Sequence, residues 1–133
     1  MIDNQFYGDK ALQLMIGREI VSVSGLEESS ENVDFFFSDG SSASFYHDYH
    51  CCENVYLYDF ELTAKNIDKL KGAIINDARA DSSDASDDDE CSDDSGTWTF
   101  YNINTSKGCI NMRFLGESNG YYGEGVDVAL RLK

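Results

Sequence analysis

Val33-Asp34-Phe35-Phe36-Phe37-Ser38-Asp39-Gly40-Ser41-Ser42-Ala43-Ser44-Phe45-Tyr46 sets two apolar runs on either side of a Ser-Asp-Gly turn. Side chains alternate across a strand, so the length of the loop decides which of them share a face. A two-residue Asp39-Gly40 turn pairs Phe37 with Ser42 and Phe35 with Ser44, scattering hydroxyls over the phenylalanine face. A three-residue loop with Gly40 in the left-handed conformation pairs Phe37 with Ser41, Phe35 with Ala43 and Val33 with Phe45. That loop gathers Val33, Phe35, Phe37, Ala43 and Phe45 against a core. It turns Asp34, Ser42, Ser44 and Tyr46 outward, with Phe36 the exception. An antiparallel hairpin with one buried face is the expected centre of the fold.

Upstream of the hairpin, Asp9 is placed to cap a helix over 10–16 lined by Leu12, Met15 and Ile16, with Gly17 as its stop. Residues 18–23 read as a strand, with Val21 and Val23 on one face. Downstream, residues 52–60 alternate Val55, Leu57 and Asp59 against Tyr56, Tyr58 and Phe60. Thr63 then caps a short helix over 64–70 that Gly72 ends, and 73–76 is a brief strand. A second hairpin joins 97–104 to 109–115 around Thr105-Ser106-Lys107-Gly108. A four-residue loop there puts Thr99, Tyr101, Ile103, Ile110, Met112 and Phe114 on one face, and Trp98, Phe100, Asn102, Asn111 and Arg113 on the other. A three-residue loop sends Trp98 and Phe100 to the core instead. Ser118-Asn119-Gly120 is a turn, and Val126, Val128, Leu130 and Leu132 alternate in a last strand. The expected fold is a single α+β domain over 1–133. It is a mostly antiparallel twisted sheet of seven or eight strands with two short helices, and a small β-barrel is the alternative.

The chain has 133 residues, enough for one modest core. Ten Lys and Arg against 25 Asp and Glu give a net charge of −15, which opposes direct binding to nucleic acid or to an anionic membrane. Apolar residues at 41% are sufficient for a folded interior, so the charge has not displaced the core. No apolar run spans a bilayer, and Met1-Ile2-Asp3-Asn4 does not resemble an export signal. Cys51 and Cys52 are adjacent and cannot readily bridge to each other. With Cys91 and Cys109 they form no familiar framework, so a reducing, cytoplasmic setting is expected.

About half of the excess charge lies in residues 81–94, where Asp81, Asp84, Asp87, Asp88, Asp89, Glu90, Asp93 and Asp94 occur without a base. Such a tract cannot bury itself and is expected to be a flexible loop, either a spacer or a polyanionic arm for a basic surface. Asp87-Asp88-Asp89-Glu90 lacks the order of a calcium loop. His47, His50, Cys51, Cys52 and Glu53 crowd seven positions, but adjacent cysteines point to opposite faces of a strand, so no metal site is expected. A Cys-His nucleophile pair can be written from these residues, but no oxyanion-hole loop accompanies it, so neither an enzyme nor a cofactor is expected. Trp98, Phe100, Asn102, Asn111 and Arg113 read either as a second core layer, with Arg113 paired to an acid, or as a stacking surface for a planar ligand. Glu117, Asn119, Tyr121 and Tyr122 would form the rim of that surface.

Two segments carry a resemblance. Cys51-Cys52-Glu53-Asn54-Val55 and Trp98-Thr99-Phe100-Tyr101, the latter continued by Gly116-Glu117-Ser118-Asn119-Gly120-Tyr121-Tyr122, resemble a family of small phage and prophage proteins of unknown function. That family opens on a helix and glycine like Met15-Ile16-Gly17-Arg18-Glu19-Ile20, and its CCE strand is more aliphatic than Tyr56 and Tyr58 allow here. The resemblance implies action inside a bacterial host cell. The leading expectation is a non-catalytic accessory protein that inhibits a host defence factor by binding its basic surface. The alternatives are a protein that sequesters a nucleotide-like small molecule, with a homodimer pooling two sites, and a virion or assembly component.

Overall fold

A computed structural model describes residues 4–50, 52–86, 91, 95–120 and 123–132. Nine strands form two antiparallel sheets. β1 (Gln5–Tyr7), β2 (Ile20–Ser24), β3 (Val33–Phe37), β4 (Ser42–Tyr46) and β9 (Asp127–Arg131) make the first, in the order β1-β9-β4-β3-β2. The second runs β5 (Asn54–Leu62), β8 (Gly108–Ser118), β7 (Ser95–Thr105) and β6 (Ile75–Asp84). An isolated antiparallel bridge from Glu19 to Ile74 joins the two sheets, and nine strands in two sheets replace the single sheet of seven or eight strands expected. Among the described residues there is one α-helix, α1 (Gly8–Met15), and the helix expected over 64–70 is only a 3-10 turn at Ile67–Leu70, capped by the Asn66 side chain on Lys69 N.

The first hairpin has the expected register: Val33 lies opposite Phe45 and Phe35 opposite Ala43, Phe37 N donates to Ser41 O, and Gly40 has φ +87°. Phe35 and Phe45 are fully buried. The second hairpin takes the four-residue face assignment, with Thr99 opposite Phe114, Tyr101 opposite Met112 and Ile103 opposite Ile110 on the inner side. The inner faces of the two sheets meet in one core, where the Phe45 and Tyr101 rings cross edge to face at 4.6 Å between centroids. Ala11, Leu12 and Met15 of α1 join this core, whereas Ile16, expected on the same side, is exposed. The helix begins one residue before Asp9, and Tyr7 holds the N-cap position without a side-chain bond.

Three elements run differently from their local pattern. Bulges at Val21, Tyr58 and Asn76 each shift the alternation by one residue. The brief strand expected at 73–76 instead extends for ten residues along β7. Asp81 and Asp84 are therefore strand residues, and the flexible tract expected at 81–94 does not begin at Asp81. A strand of three residues at the amino end, β1, pairs with β9 and was not expected. Among the described residues, no helix is long and apolar enough to cross a membrane.

Tyr101 is a titratable group within the core. Tyr101 is buried and its hydroxyl donates to Val126 O at 2.8 Å. Burial first, with the Asp127 and Asp9 carboxylates adding, pushes its phenol well above the ordinary value of 10.0. The folded state therefore holds this proton more tightly than the unfolded chain, so its contribution is complete below about pH 10 and is lost as the pH rises further. Tyr46 and Tyr56 shift in the same direction, again through burial first. The urea midpoint is expected to fall above about pH 10, and less steeply in Tyr101→Phe, which at neutral pH loses about 1 kcal/mol with the hydrogen bond. Identical slopes for the two proteins would show that Tyr101 is not the source.

Candidate functional site

The outer face of the four-stranded sheet carries the residues singled out from the second hairpin. Cross-strand register places Trp98 opposite Leu115, Phe100 opposite Arg113 and Asn102 opposite Asn111. The bulge at Tyr58 completes the set from β5. It parts Asp59 from Val55 and Leu57, with which it alternates in the sequence, placing it on the outer face opposite Arg113, and brings Phe60 inward opposite Met112. Arg113 then donates through Nε to Asp59 Oδ1 at 3.0 Å and through Nη2 to Oδ2 at 2.6 Å, a bidentate pair. Its guanidinium carbon lies 4.6 Å from the centre of the Trp98 ring and 5.1 Å from that of Tyr58.

Trp98 belongs to a small second core. It is buried with Ala85 and Leu115, and Tyr56, Tyr58 and Phe100 pack around them. Ala85 follows β6 and is held by its amide on Gly96 O at 2.8 Å, so the chain folds back over this end of the sheet. The second-core reading therefore applies at Trp98, with Asp59 as the acid that Arg113 pairs with. Glu117, expected on an open rim, is also buried, 3.5 Å from the Tyr56 hydroxyl, whose proton is held more tightly by burial and then by that carboxylate. Asn119 is exposed beside the turn at Gly120, and Tyr121 and Tyr122 lie outside the described residues.

The other end of this face is open. A groove of about 430 Å³ runs between Phe100, Asn102, Asn111, Asp59, Glu61 and Arg113. The Asn102 and Asn111 side chains hydrogen-bond to each other along it. Phe100 is half-buried and Glu61 is exposed. Asp59 holds the Nε–Nη2 edge of Arg113 and two rings lie against its guanidinium, so a phosphate could take that bidentate edge only by displacing Asp59. The groove carries two carboxylates to one guanidinium, which suits a cation better than an anion.

Of the acidic tract, Asp81 lies in register with Phe100 and Asp84 with Thr97. Asp84 accepts from Ser86 N and Oγ at 3.0 and 2.7 Å, bonds that hold its carboxyl below the ordinary range. Asp87, Asp88, Asp89, Glu90, Asp93 and Asp94 lie outside the described residues.

The histidine and cysteine cluster is used structurally. His47 Nδ1 donates to Gly125 O at 2.7 Å, and Nε2 meets Glu53 Oε2 at 2.8 Å, the same oxygen that accepts from His50 N at 3.0 Å. Away from this cluster, the Cys91 thiol donates to Ser95 O at 3.6 Å and the Cys109 thiol to Asn104 Oδ1 at 2.6 Å. Cys51 lies outside the described residues. Both His47 nitrogens are therefore engaged, by Gly125 O and by Glu53. Among the described residues, no group of three or more His, Cys, Asp and Glu side chains is arranged to hold a metal ion.

Sequence reasoning missed Asp59, Tyr58 and Glu61 because the bulge that aims them has no signature in the alternation. It also missed the burial of Glu124, whose carboxylate accepts from Ser118 Oγ, from Thr97 Oγ1 at 2.9 Å and from Ser95 Oγ at 3.3 Å. A family model described as a domain of unknown function, DUF7448, matches residues 13–128. No curated protein and no solved structure matches the chain.

Proposed function

The chain belongs to the DUF7448 family, a domain of unknown function, and from its geometry we propose that it is a non-catalytic binding protein that occupies a basic surface on another protein. The observation that supports this reading is β6. It is the outermost strand of its sheet and presents Asp77, Asp81 and Asp84 directly before an Asp-rich run, with 81–84 exposed along the edge. Ile75 and Ile74 at its start are tied to the chain around Arg18 and Glu19, so the edge is open beyond Ile75, where three acids outnumber the one base, Arg79. Such an edge repels a second copy of itself and attracts a cationic surface over a distance of about one Debye length, roughly 8–10 Å. The same repulsion disfavours assembly by edge pairing, and the engagement of Arg113 by Asp59 disfavours capture of a phosphorylated small molecule.

The resemblance to phage proteins supports a host factor, and specifically a defence factor, as the partner. Binding would inhibit that factor by covering the surface it uses for nucleic acid. Proteins captured from bacterial lysate by the native chain are expected to elute as salt is raised. Capture should fall at least about tenfold in a triple variant, Asp77→Lys, Asp81→Lys, Asp84→Lys, because rim charges govern the association rate. Retention that ignores both salt and charge reversal would defeat the proposal.

A further inference from the structure

The outer face of the four-stranded sheet shows what it does with one guanidinium and has the parts for a second. Across the strands, Asp81, Phe100, Arg113 and Asp59 form one row, and Arg79, Asn102, Asn111 and Glu61 form the next. Neighbouring strands are about 4.8 Å apart, so each row is a line of adjacent side chains. In the first row Arg113 lies against the Trp98 and Tyr58 rings, with the Asp59 carboxylate across its donors. Phe100 is beside it, in register with Asp81, and Glu61 stands on the far side of the groove. Among the described residues no cation lies over the Phe100 ring. Arg79 of the next row donates instead to Asp77 at 2.7 Å, with its side chain 78% exposed.

Asp59 and Glu61 line this groove, Asp81 stands beside it on the edge strand in register with Phe100, and Asp59 is the one already used by Arg113. The Asn102 and Asn111 amides add hydrogen-bonding groups along a groove of about 430 Å³, ample for one side chain. We propose that this groove receives an arginine of the basic partner, with its guanidinium over the Phe100 ring and its donors on the Asp81 carboxylate, which stands in register beside that ring on the edge strand. The assignment rests on the reading of the protein as a binder of basic surfaces, and it names the side chain that is recognised. Lysine is a poorer occupant, because an ammonium has neither the plane that stacks on a ring nor the fork that spans two acceptors.

The test uses the full chain and two capped peptides of equal charge, tetra-arginine and tetra-lysine, titrated by calorimetry at low and at moderate salt. The native protein is expected to bind the arginine peptide about fivefold more tightly, the effect of roughly 1 kcal/mol of cation–π attraction. Phe100→Leu should bring the two peptides to parity, whereas Phe100→Tyr, which keeps a ring at the same place, should preserve the preference. Equal binding of both peptides by the native protein, with normal salt dependence, overturns the groove assignment and leaves the acidic-surface reading standing. Failure of either peptide to bind at low salt overturns both.

Discussion

Gly116→Ala is expected to lower the stability of the protein by about 3 kcal/mol or more. A Cβ at this position would overlap the Glu124 carbonyl oxygen and come within 2.9 Å of both the Glu124 carbonyl carbon and its Cβ. Two of these atoms are backbone, so relief requires the whole 123–126 segment to lift from β8. That segment is tethered at three successive residues. Glu124 receives three hydroxyl bonds, Gly125 O receives His47 Nδ1, and Val126 O receives the Tyr101 hydroxyl. Lifting it leaves a buried carboxylate and two carbonyls without donors, each costing about 1–3 kcal/mol. Gly123→Ala is the internal control: its Cβ would meet nothing within 4 Å, and the expected change is within about 0.5 kcal/mol. Urea unfolding of the two variants should separate them clearly, and equal midpoints would refute the close approach.

Glu53→Ala should be comparably damaging, with a loss of about 2–4 kcal/mol, because two groups lose a buried hydrogen-bond partner at about 1–3 kcal/mol each. The carboxylate is 1% exposed, and one of its oxygens accepts from both His47 Nε2 and His50 N. Both ring nitrogens of His47 face oxygen atoms, Gly125 O and Glu53 Oε2, so the two side chains hold each other in a buried hydrogen-bonded pair. Removing one member strands the other in a place where water cannot replace it. His47→Ala removes the same interaction from the opposite side, so the double variant should be more stable than the sum of the single losses predicts. The coupling energy is expected to be about 1–3 kcal/mol in a double-mutant cycle. Additive losses would mean that each residue acts through separate contacts.

Both predictions concern one end of the sandwich, where polar groups are buried between the sheets, and neither was legible from the sequence. Glu53 and Glu124 carry no periodic signal that marks them as interior, since charged residues are rarely buried unless partnered. Their partners, His47, Ser118, Thr97 and Ser95, come from β7, from β8 and from a loop. The groove was half legible. Phe100, Asn102, Asn111 and Arg113 follow from the alternation of one hairpin, once its loop is given four residues. Asp59 and Glu61 do not follow, because the strand that carries them changes face at Tyr58. Asp81 was read as the start of a loop because eight acids in fourteen residues outweigh strand propensity locally. Pairing with β7 overrides that preference through Asp84.

What the sequence determined by itself is the antiparallel character of the domain, the inner faces of its two hairpins and its large anionic excess. These depend on alternation, turn residues and charge, all of which are local or additive properties of the chain. Only the tertiary structure decided that there are two sheets, that β6 runs as an acidic edge, and that Asp59 meets Arg113 while Glu53 meets His47. Those outcomes depend on which strands lie side by side: a bulge or a buried carboxylate is stable only when a particular distant backbone supplies its hydrogen bonds.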